Sequence, residues 1–244
     1  MATLIVFQHS PRGGPGRLGV TLRDHGFKLD IRRLDLNREL GKGIPPDYDN
    51  VHGVISLGGP QNVGDPEPWI NHEIAYLKGA HDRGLPVIGI CLGHQLIAKA
   101  LGGDVAAMPK PELGFTRVSV TIPGQTETMM AGVPWDFMAF QTHGQEVTKA
   151  PPGALVLAGS AACTVQAFRA GVRTYAFQFH LEADRPAISN YYSDSHDWAK
   201  ATGTTIGALE KQADVEYNRA AVIADRLCTN IATYCFPSVG LAGV

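Results

Sequence analysis

The stretch Leu85-Pro86-Val87-Ile88-Gly89-Ile90-Cys91-Leu92-Gly93-His94-Gln95 changes its period at a single cysteine. Pro86 to Ile90 is a short apolar run with β-branched residues, the pattern of a strand buried on both faces of a parallel sheet. From Leu92 the apolar residues Leu92, Leu96, Ala100 and Leu101 fall on one helical face, and Gly102-Gly103 ends the helix. A strand that turns directly into a helix at Cys91 needs little bulk beside the turn, and Gly89 and Gly93 flank it at two residues either way. The arrangement is that of the G-x-S-x-G nucleophile elbow with sulfur in place of oxygen. A cysteine at a helix N-terminus has its thiolate favoured by unpaired N–H groups and the macrodipole. Taken alone, the motif also fits a small buried residue at a strand end.

A cysteine nucleophile needs a base, and the base needs an orienting group. Thr174-Tyr175-Ala176-Phe177-Gln178-Phe179-His180-Leu181-Glu182 supplies both. Tyr175, Phe177 and Phe179 alternate on one face of a strand, while His180 and Glu182 share the other parity just beyond its end. An imidazole with a carboxylate two residues on is a base with its orienter.

The segments Gly89-Ile90-Cys91-Leu92-Gly93-His94-Gln95 and Phe177-Gln178-Phe179-His180-Leu181-Glu182 resemble those of class I glutamine amidotransferases, most closely stand-alone chains similar to the amidotransferase domain of GMP synthase. The resemblance runs from about Thr3 to about Trp198. It implies a Cys91–His180–Glu182 triad and an oxyanion hole formed by the N–H groups of Gly59 and Leu92. It also implies a glutamine pocket that includes Gly58, Gln95, Gln141, Thr142 and His143. Relatives carry a His-Gly-Asp segment whose backbone helps hold the amino-acid end of the substrate; here the segment is His143-Gly144-Gln145, and Gln145 replaces the acid. Glu112-Leu113-Gly114 matches the family's acidic-x-Gly segment, in a stretch (Pro109 to Gly114) that reads as a loop.

Along the chain, Leu4 to Phe7, Lys28 to Leu34, Val51 to Leu57 and the Cys91 strand alternate with helices from about Gly16 to His25 and from Pro68 through Ile70, Ile74, Leu77 and His81. This order calls for an α/β fold with a doubly wound, mostly parallel central sheet and flanking helices. After Gly103 come Val105, Phe115 to Ile122, Trp135 to Phe140, Ala154 to Leu157 and Thr164 to Phe168, short strands that form a smaller antiparallel set. Arg185 to about Ala201 reads as one polar helix. Ile206, Leu209, Ala213, Tyr217, Ala220, Ala224, Leu227, Ile231 and Tyr234 recur at threes and fours, as in a long amphipathic helix. Its apolar face either packs on its own domain or meets a partner. Phe236 to Val244 reads as a loose tail. The domain expectation is an amidotransferase-like domain over 1–201 and a helical extension over 202–244.

Gly14-Pro15-Gly16-Arg17-Leu18-Gly19 fits the dinucleotide fingerprint G-x-G-x-x-G, with Asp35 near the acidic position. Its glycines begin several residues after the strand, and Pro11 and Pro15 stiffen the loop, so it reads instead as a segment lying over the sheet edge.

A net charge of −2 leaves no basic footprint for nucleic acid. No run approaches the roughly 18 apolar residues of a membrane span. The N-terminus lacks a signal-peptide pattern, and the four cysteines form no C-x-x-C pair, so a cytoplasmic chain with reduced thiols is expected. No His/Cys cluster has metal-ligand spacing, and neither a metal nor a cofactor is expected. The sequence carries no P-loop or second nucleotide-binding half, which makes a separate synthase subunit the candidate ammonia acceptor. Its rivals are a stand-alone γ-glutamyl hydrolase or peptidase using the same triad, and a non-catalytic ligand sensor on the same fold. A homodimer is a further candidate assembly.

Overall fold

In the computed structural model, residues 2–36 and 41–236 are described. Strands β1 (Thr3–Gln8), β2 (Lys28–Arg33), β3 (Gly53–Ser56), β4 (Val87–Ile90), β5 (Asp104–Val120), β6 (Asp136–Lys149), β7 (Leu155–Gly159), β8 (Ala167–Ala170) and β9 (Thr174–Phe177) form a single sheet among these residues. Its spatial order is β2-β1-β3-β4-β9-β8-β7-β5-β6. The first five strands in that order are parallel, and the pairings from β9 outward are antiparallel.

Both faces of the inner parallel strands β1, β3, β4 and β9 are covered, which is why they are largely apolar, whereas the edge strand β2 is polar and partly exposed. Leu4, Val6, Ile55, Leu57, Ile88 and Ile90 pack on one face against Leu18 and Leu22 of α1 (Gly16–Asp24) and Leu227 of the C-terminal helix. Ile5, Phe7, Val54 and Val87 pack on the other against Ile70 and Leu77 of α2 (Pro68–Asp82) and Leu92 and Leu96 of α3 (Leu92–Ala100). The short α4 (Ile122–Gln125) starts at Thr121, whose side chain accepts from the Gly124 N–H.

Four sequence expectations need correction. Pro109 to Gly114 is not a free loop: it lies within β5, opposite β6. The pairing register shifts between Ala107 and Glu112, because Pro109 and Pro111 have no N–H to offer the ladder. Gln141 to Gln145 is likewise strand, in β6, with Glu112 opposite His143 and Leu113 opposite Thr142. The helix expected over Arg185 to Ala201 is two, α5 (Arg185–Ser193) and α6 (His196–Thr202), with Asp194 and Ser195 at the break. Gly203 closes α6 in the left-handed conformation (φ 77°).

The fourth correction concerns the C-terminus. The long helix α7 (Ile206–Asn230) buries Leu209, Ala213 and Leu227 as the periodicity predicts, and Ile231 just beyond it, against the sheet and helices α1 and α5. It then loosens to a π turn over Ile231–Cys235, where the Phe236 N–H reaches back to Ile231 O at 3.3 Å. The extra residue in that turn carries Tyr234 outward, to 53% exposure, and carries Cys235 and Phe236 into the core. Phe236, expected to begin a loose tail, is buried against Phe27 and over Gly53, where a Cβ would come within 2.4 Å of its ring. The rest of that tail, 237–244, lies outside the described residues, as do 37–40 of the polar connection. None of the described helices is long and apolar enough to cross a membrane.

Candidate active site

Strands β3, β4 and β9 are neighbours, and the residues that follow each meet at the carboxyl edge of the sheet. Cys91 follows β4 and adopts φ 52°, ψ −104°, which few non-glycine residues tolerate. Its neighbours make the turn feasible. A Cβ on Gly89 would lie 2.6 Å from Gly93 O, and one on Gly93 would lie 2.0 Å from Ser56 O. The Cys91 N–H donates to Phe177 O at 2.9 Å, joining the elbow to β9. Its Sγ lies 3.8 Å from Thr142 O.

His180 approaches from β9. Its Nδ1 donates to Glu182 Oε1 at 2.7 Å, and its own N–H donates to Phe140 O at 3.0 Å. The ring is buried beside Tyr191 (centroids 5.2 Å apart), and Nε2 has no protein partner among the described residues. A Cβ on Gly58 would sit 2.8 Å from His180 Cε1 and 3.5 Å from Cys91 Cβ, so the imidazole and the thiol side chain converge on that glycine. Burial works to lower the His180 pKa, but the Glu182 charge and then the Cys91 sulfur outweigh it, and the imidazole is held well above its ordinary value.

Gly58, Gly59, Cys91, Leu92, Gln95, Thr142, His143 and His180 line one cavity of ≈ 550 Å³. Neither the Gly59 nor the Leu92 N–H has a protein acceptor among the described residues. Gln95 lines the cavity, with its amide nitrogen bonded to Gln145 O (3.0 Å) and Gln178 Oε1 (3.1 Å). His143 faces Glu112 Oε2 at 3.0 Å and Gln145 O at 2.9 Å, so its ring is committed to the wall. Gln141 does not line the cavity: it is fully buried and donates to Gln166 Oε1 at 2.9 Å, and Gln166 in turn donates to Glu112. Gln145, the residue in place of the acid, accepts from the Val63 N–H at 3.1 Å and ties β6 to the loop after Gly59.

Several lining residues carry no motif. Arg12 and Asp194 pair at 2.6 Å across the mouth, and Tyr191, Asp197 and Trp198 come from the broken helix pair. The break at Asp194-Ser195 was the missed signal: Asp and Ser interrupt a helix readily because they offer the backbone other partners. The glycines of the dinucleotide-like segment have a local task. Gly16 (φ 42°) lets the start of α1 touch the segment after β9: a Cβ there would lie 2.1 Å from Glu182 O, which accepts the Arg17 N–H at 2.9 Å. Gly19 lies against Pro15. The described residues hold no group of three metal-capable side chains.

A profile of the family "Glutamine amidotransferase class-I" matches residues 18–192, most of the chain. The chain belongs to the class-I glutamine amidotransferase family. Among curated relatives, a subunit of the glutamine-hydrolyzing GMP synthase of Thermoplasma acidophilum is 31% identical over 176 residues, 68% of this chain and 85% of that protein. The corresponding subunit from Sulfolobus acidocaldarius is 36% identical over 165 residues, 65% of this chain and 83% of its own. The glutamine-hydrolyzing GMP synthase of Aeropyrum pernix is 35% identical over 70% of this chain, and the match spans only 32% of that protein. A solved glutamine amidotransferase from Thermotoga maritima superposes with TM-score 0.80 over 95% of this chain and 98% of its own, at 20% identity, a likeness of fold.

In this amidotransferase chain His94, beside the elbow, is a structural residue with a measurable signature. It is fully buried, its Nδ1 donates to Gln178 Oε1 at 3.2 Å, and its Nε2 has no partner among the described residues. Burial, helped by the charge of His143, lowers its pKa to about 3. The unfolded chain takes up that proton near pH 6.5 and the folded chain does not, so this group lowers stability as pH falls below 6.5. At pH 5 the loss is about 2 kcal/mol. A His94→Gln chain is expected to lose less stability than wild type between pH 7 and pH 5, as measured by urea unfolding at both pH values. Equal losses would show that His94 is not buried neutral.

Proposed function

We propose that this chain hydrolyses the side-chain amide of glutamine through a γ-glutamyl thioester on Cys91 and releases ammonia to an acceptor on a separate synthase subunit. One observation above all supports the reading: Cys91, the Gly58–Gly59 turn and the His180 ring, which is bonded from behind to Glu182, line a single cavity. The relatives named as one subunit of a glutamine-hydrolysing synthase support the separate acceptor.

The Cys91 thiolate attacks the carboxamide carbon, a C–S bond forms, and the carbonyl electrons move onto oxygen. The Gly59 and Leu92 N–H groups hold that oxyanion. The His180 imidazolium then protonates the amide nitrogen, the C–N bond breaks and ammonia leaves. The imidazole, now neutral, takes a proton from water. Hydroxide attacks the thioester, the C–S bond breaks, and glutamate departs as the thiolate–imidazolium pair re-forms. Glu182 orients the ring and stabilises its cationic form throughout.

Glu182→Gln keeps the shape and removes the charge. It is expected to lower kcat by about 10³–10⁴, as loss of the orienting carboxylate does in serine-based triads. Iodoacetamide labelling of Cys91 near pH 6 is expected to slow as well, because the imidazolium partner of the thiolate is weakened. A variant within a few-fold of wild type would remove Glu182 from the mechanism.

The decisive experiment is intact-protein mass spectrometry after exposure to diazo-oxo-norleucine, alongside assays of ammonia and glutamate release. A single adduct absent from Cys91→Ser, together with glutamate formation, is expected. Wild type that takes no adduct and releases no glutamate from glutamine or γ-glutamyl amides, alone or with a synthase subunit, would overturn the reading. Hydrolysis of larger γ-glutamyl compounds is the second reading. It is favoured by a cavity of ≈ 550 Å³, more room than free glutamine fills. Parallel assays with γ-glutamyl amides separate the two.

A further inference from the structure

His9 follows β1 and carries no motif, yet its surroundings are the most completely buried charged cluster near the site. His9, Glu73 of α2 and Ser56 of β3 are each at 0% exposure. His9 Nε2 lies 2.8 Å from Glu73 Oε2, and Nδ1 lies 3.3 Å from Gly58 O. Ser56 Oγ donates to Glu73 Oε1 at 2.7 Å. The Trp69 indole stacks on the imidazole, with centroids 4.8 Å apart and planes 22° apart.

Both ring nitrogens of His9 face acceptors. A neutral imidazole has one N–H and satisfies one of them; only the imidazolium donates to both. Glu73 supplies the counter-charge that makes a buried cation tolerable. Burial works to lower the His9 pKa, but the Glu73 charge and hydrogen bond, with the Gly58 carbonyl behind them, raise it above the ordinary histidine value. A cation therefore sits directly behind the Gly58–Gly59 turn.

The carbonyl it binds is half of a peptide group whose other half is the Gly59 N–H. The peptide is trans, so the two point in opposite directions. A charged donor on the carbonyl draws electron density from the peptide nitrogen and strengthens the N–H as a donor. It also fixes the plane of the peptide. The turn is clasped elsewhere by the same residue: a Cβ on Gly59 would come within 2.6 Å of His9 Cβ, and Gln61 Nε2 donates to His9 O at 3.3 Å. A buried ion pair gives little net stability over an apolar pair of equal volume, so the fold by itself does not require this one.

We propose that the His9–Glu73 pair holds and polarises the Gly58–Gly59 peptide so that its N–H serves as an oxyanion donor. His9 touches no reacting atom and acts as a positioning residue. The inference rests on the amidotransferase reading and on Gly59 as a donor to the oxyanion.

The test uses two variants. Glu73→Gln keeps shape and hydrogen bonding while removing the counter-charge. The double variant His9→Phe with Glu73→Met replaces the pair by apolar groups and keeps a ring against Trp69, without leaving a buried charge alone. Loss of a whole oxyanion donor costs about 10²–10³ in rate, and weakening one is expected to lower kcat about 10–100-fold. KM is expected to stay within about twofold, and iodoacetamide alkylation of Cys91 to keep its wild-type rate, because that displacement builds no oxyanion. Near-wild-type kcat in either folded variant would overturn the proposal. A parallel fall in kcat and alkylation would overturn it too, since that marks general damage to the site. Wild type is assayed first. If it takes no adduct and forms no glutamate, alone or with a synthase subunit, the amidotransferase reading fails and takes this proposal with it; active wild type with unaffected variants fails this proposal alone.

Discussion

A Cys91→Ala chain is expected to lose glutamine turnover by a factor on the order of 10⁶, as when the nucleophile of an interdependent triad is removed. It is expected to keep its fold. The Cys91 side chain caps no helix N–H, and its sulfur lies a long 3.8 Å from Thr142 O. Alanine has the same backbone preferences as cysteine at φ 52°, so the strain of the elbow remains. Glycine would relieve it. Cys91→Gly is therefore expected to be equally inactive but about 1 kcal/mol more stable than Cys91→Ala, the strain relief exceeding the greater unfolded-state entropy of glycine. Steady-state ammonia release and urea unfolding of the two variants check both halves. Turnover surviving in the alanine chain would remove Cys91 as nucleophile; glycine less stable than alanine would remove the strain argument.

The second large effect is on packing. In Gly93→Ala the new methyl would lie 2.0 Å from Ser56 O and 2.6 Å from Ser56 C, both backbone atoms of the central sheet. Neither can swing aside as a flexible side chain would. Helix α3 must back away from β3, carrying Leu92 and Cys91 with it. Its faces are buried almost throughout, so there is little room to move. The expected cost is about 3 kcal/mol or more, with loss of activity as the Leu92 N–H leaves its place beside the elbow. Gly207→Ala is the control. It lies in α7 with nothing within 4 Å of a built Cβ, and alanine there is expected to stabilise by about 0.5–1 kcal/mol. Chemical unfolding of both variants reads the contrast directly. A Gly93→Ala chain as stable as wild type would mean that β3 and α3 yield far more easily than their packing implies.

The gap between these glycines shows what a linear reading can reach. Gly93 stands out because it is two residues from a cysteine between a strand and a helix. The atom that makes it irreplaceable, Ser56 O, is on another strand and invisible to local pattern. The same division runs through the site. Cys91, His180 and Glu182, the proposed triad, stand out in the sequence because each follows a strongly patterned strand at a short, fixed spacing. The cavity residues Arg12, Asp194 and Trp198 are not, because no period marks them and they reach the cavity only through folding of loops and short helices.

By itself the sequence determined the alternation of strands and helices, the strand-to-helix turn at Cys91, and an imidazole with a carboxylate two residues on. These are short-range properties: apolar period, glycine placement and side-chain parity, each set within a few residues. Only the tertiary structure decided that β3, β4 and β9 lie side by side, although their sequence positions are far apart. It also decided that the proline-containing stretch of β5 pairs with β6 around a register shift, and that a π turn brings Phe236 into the core. The His9–Glu73 pair joins residues 64 apart in sequence, and neither announces the other. Such pairings depend on which distant surfaces can exclude water together and which buried polar groups then find partners. That is a property of the assembled packing and not of any local run.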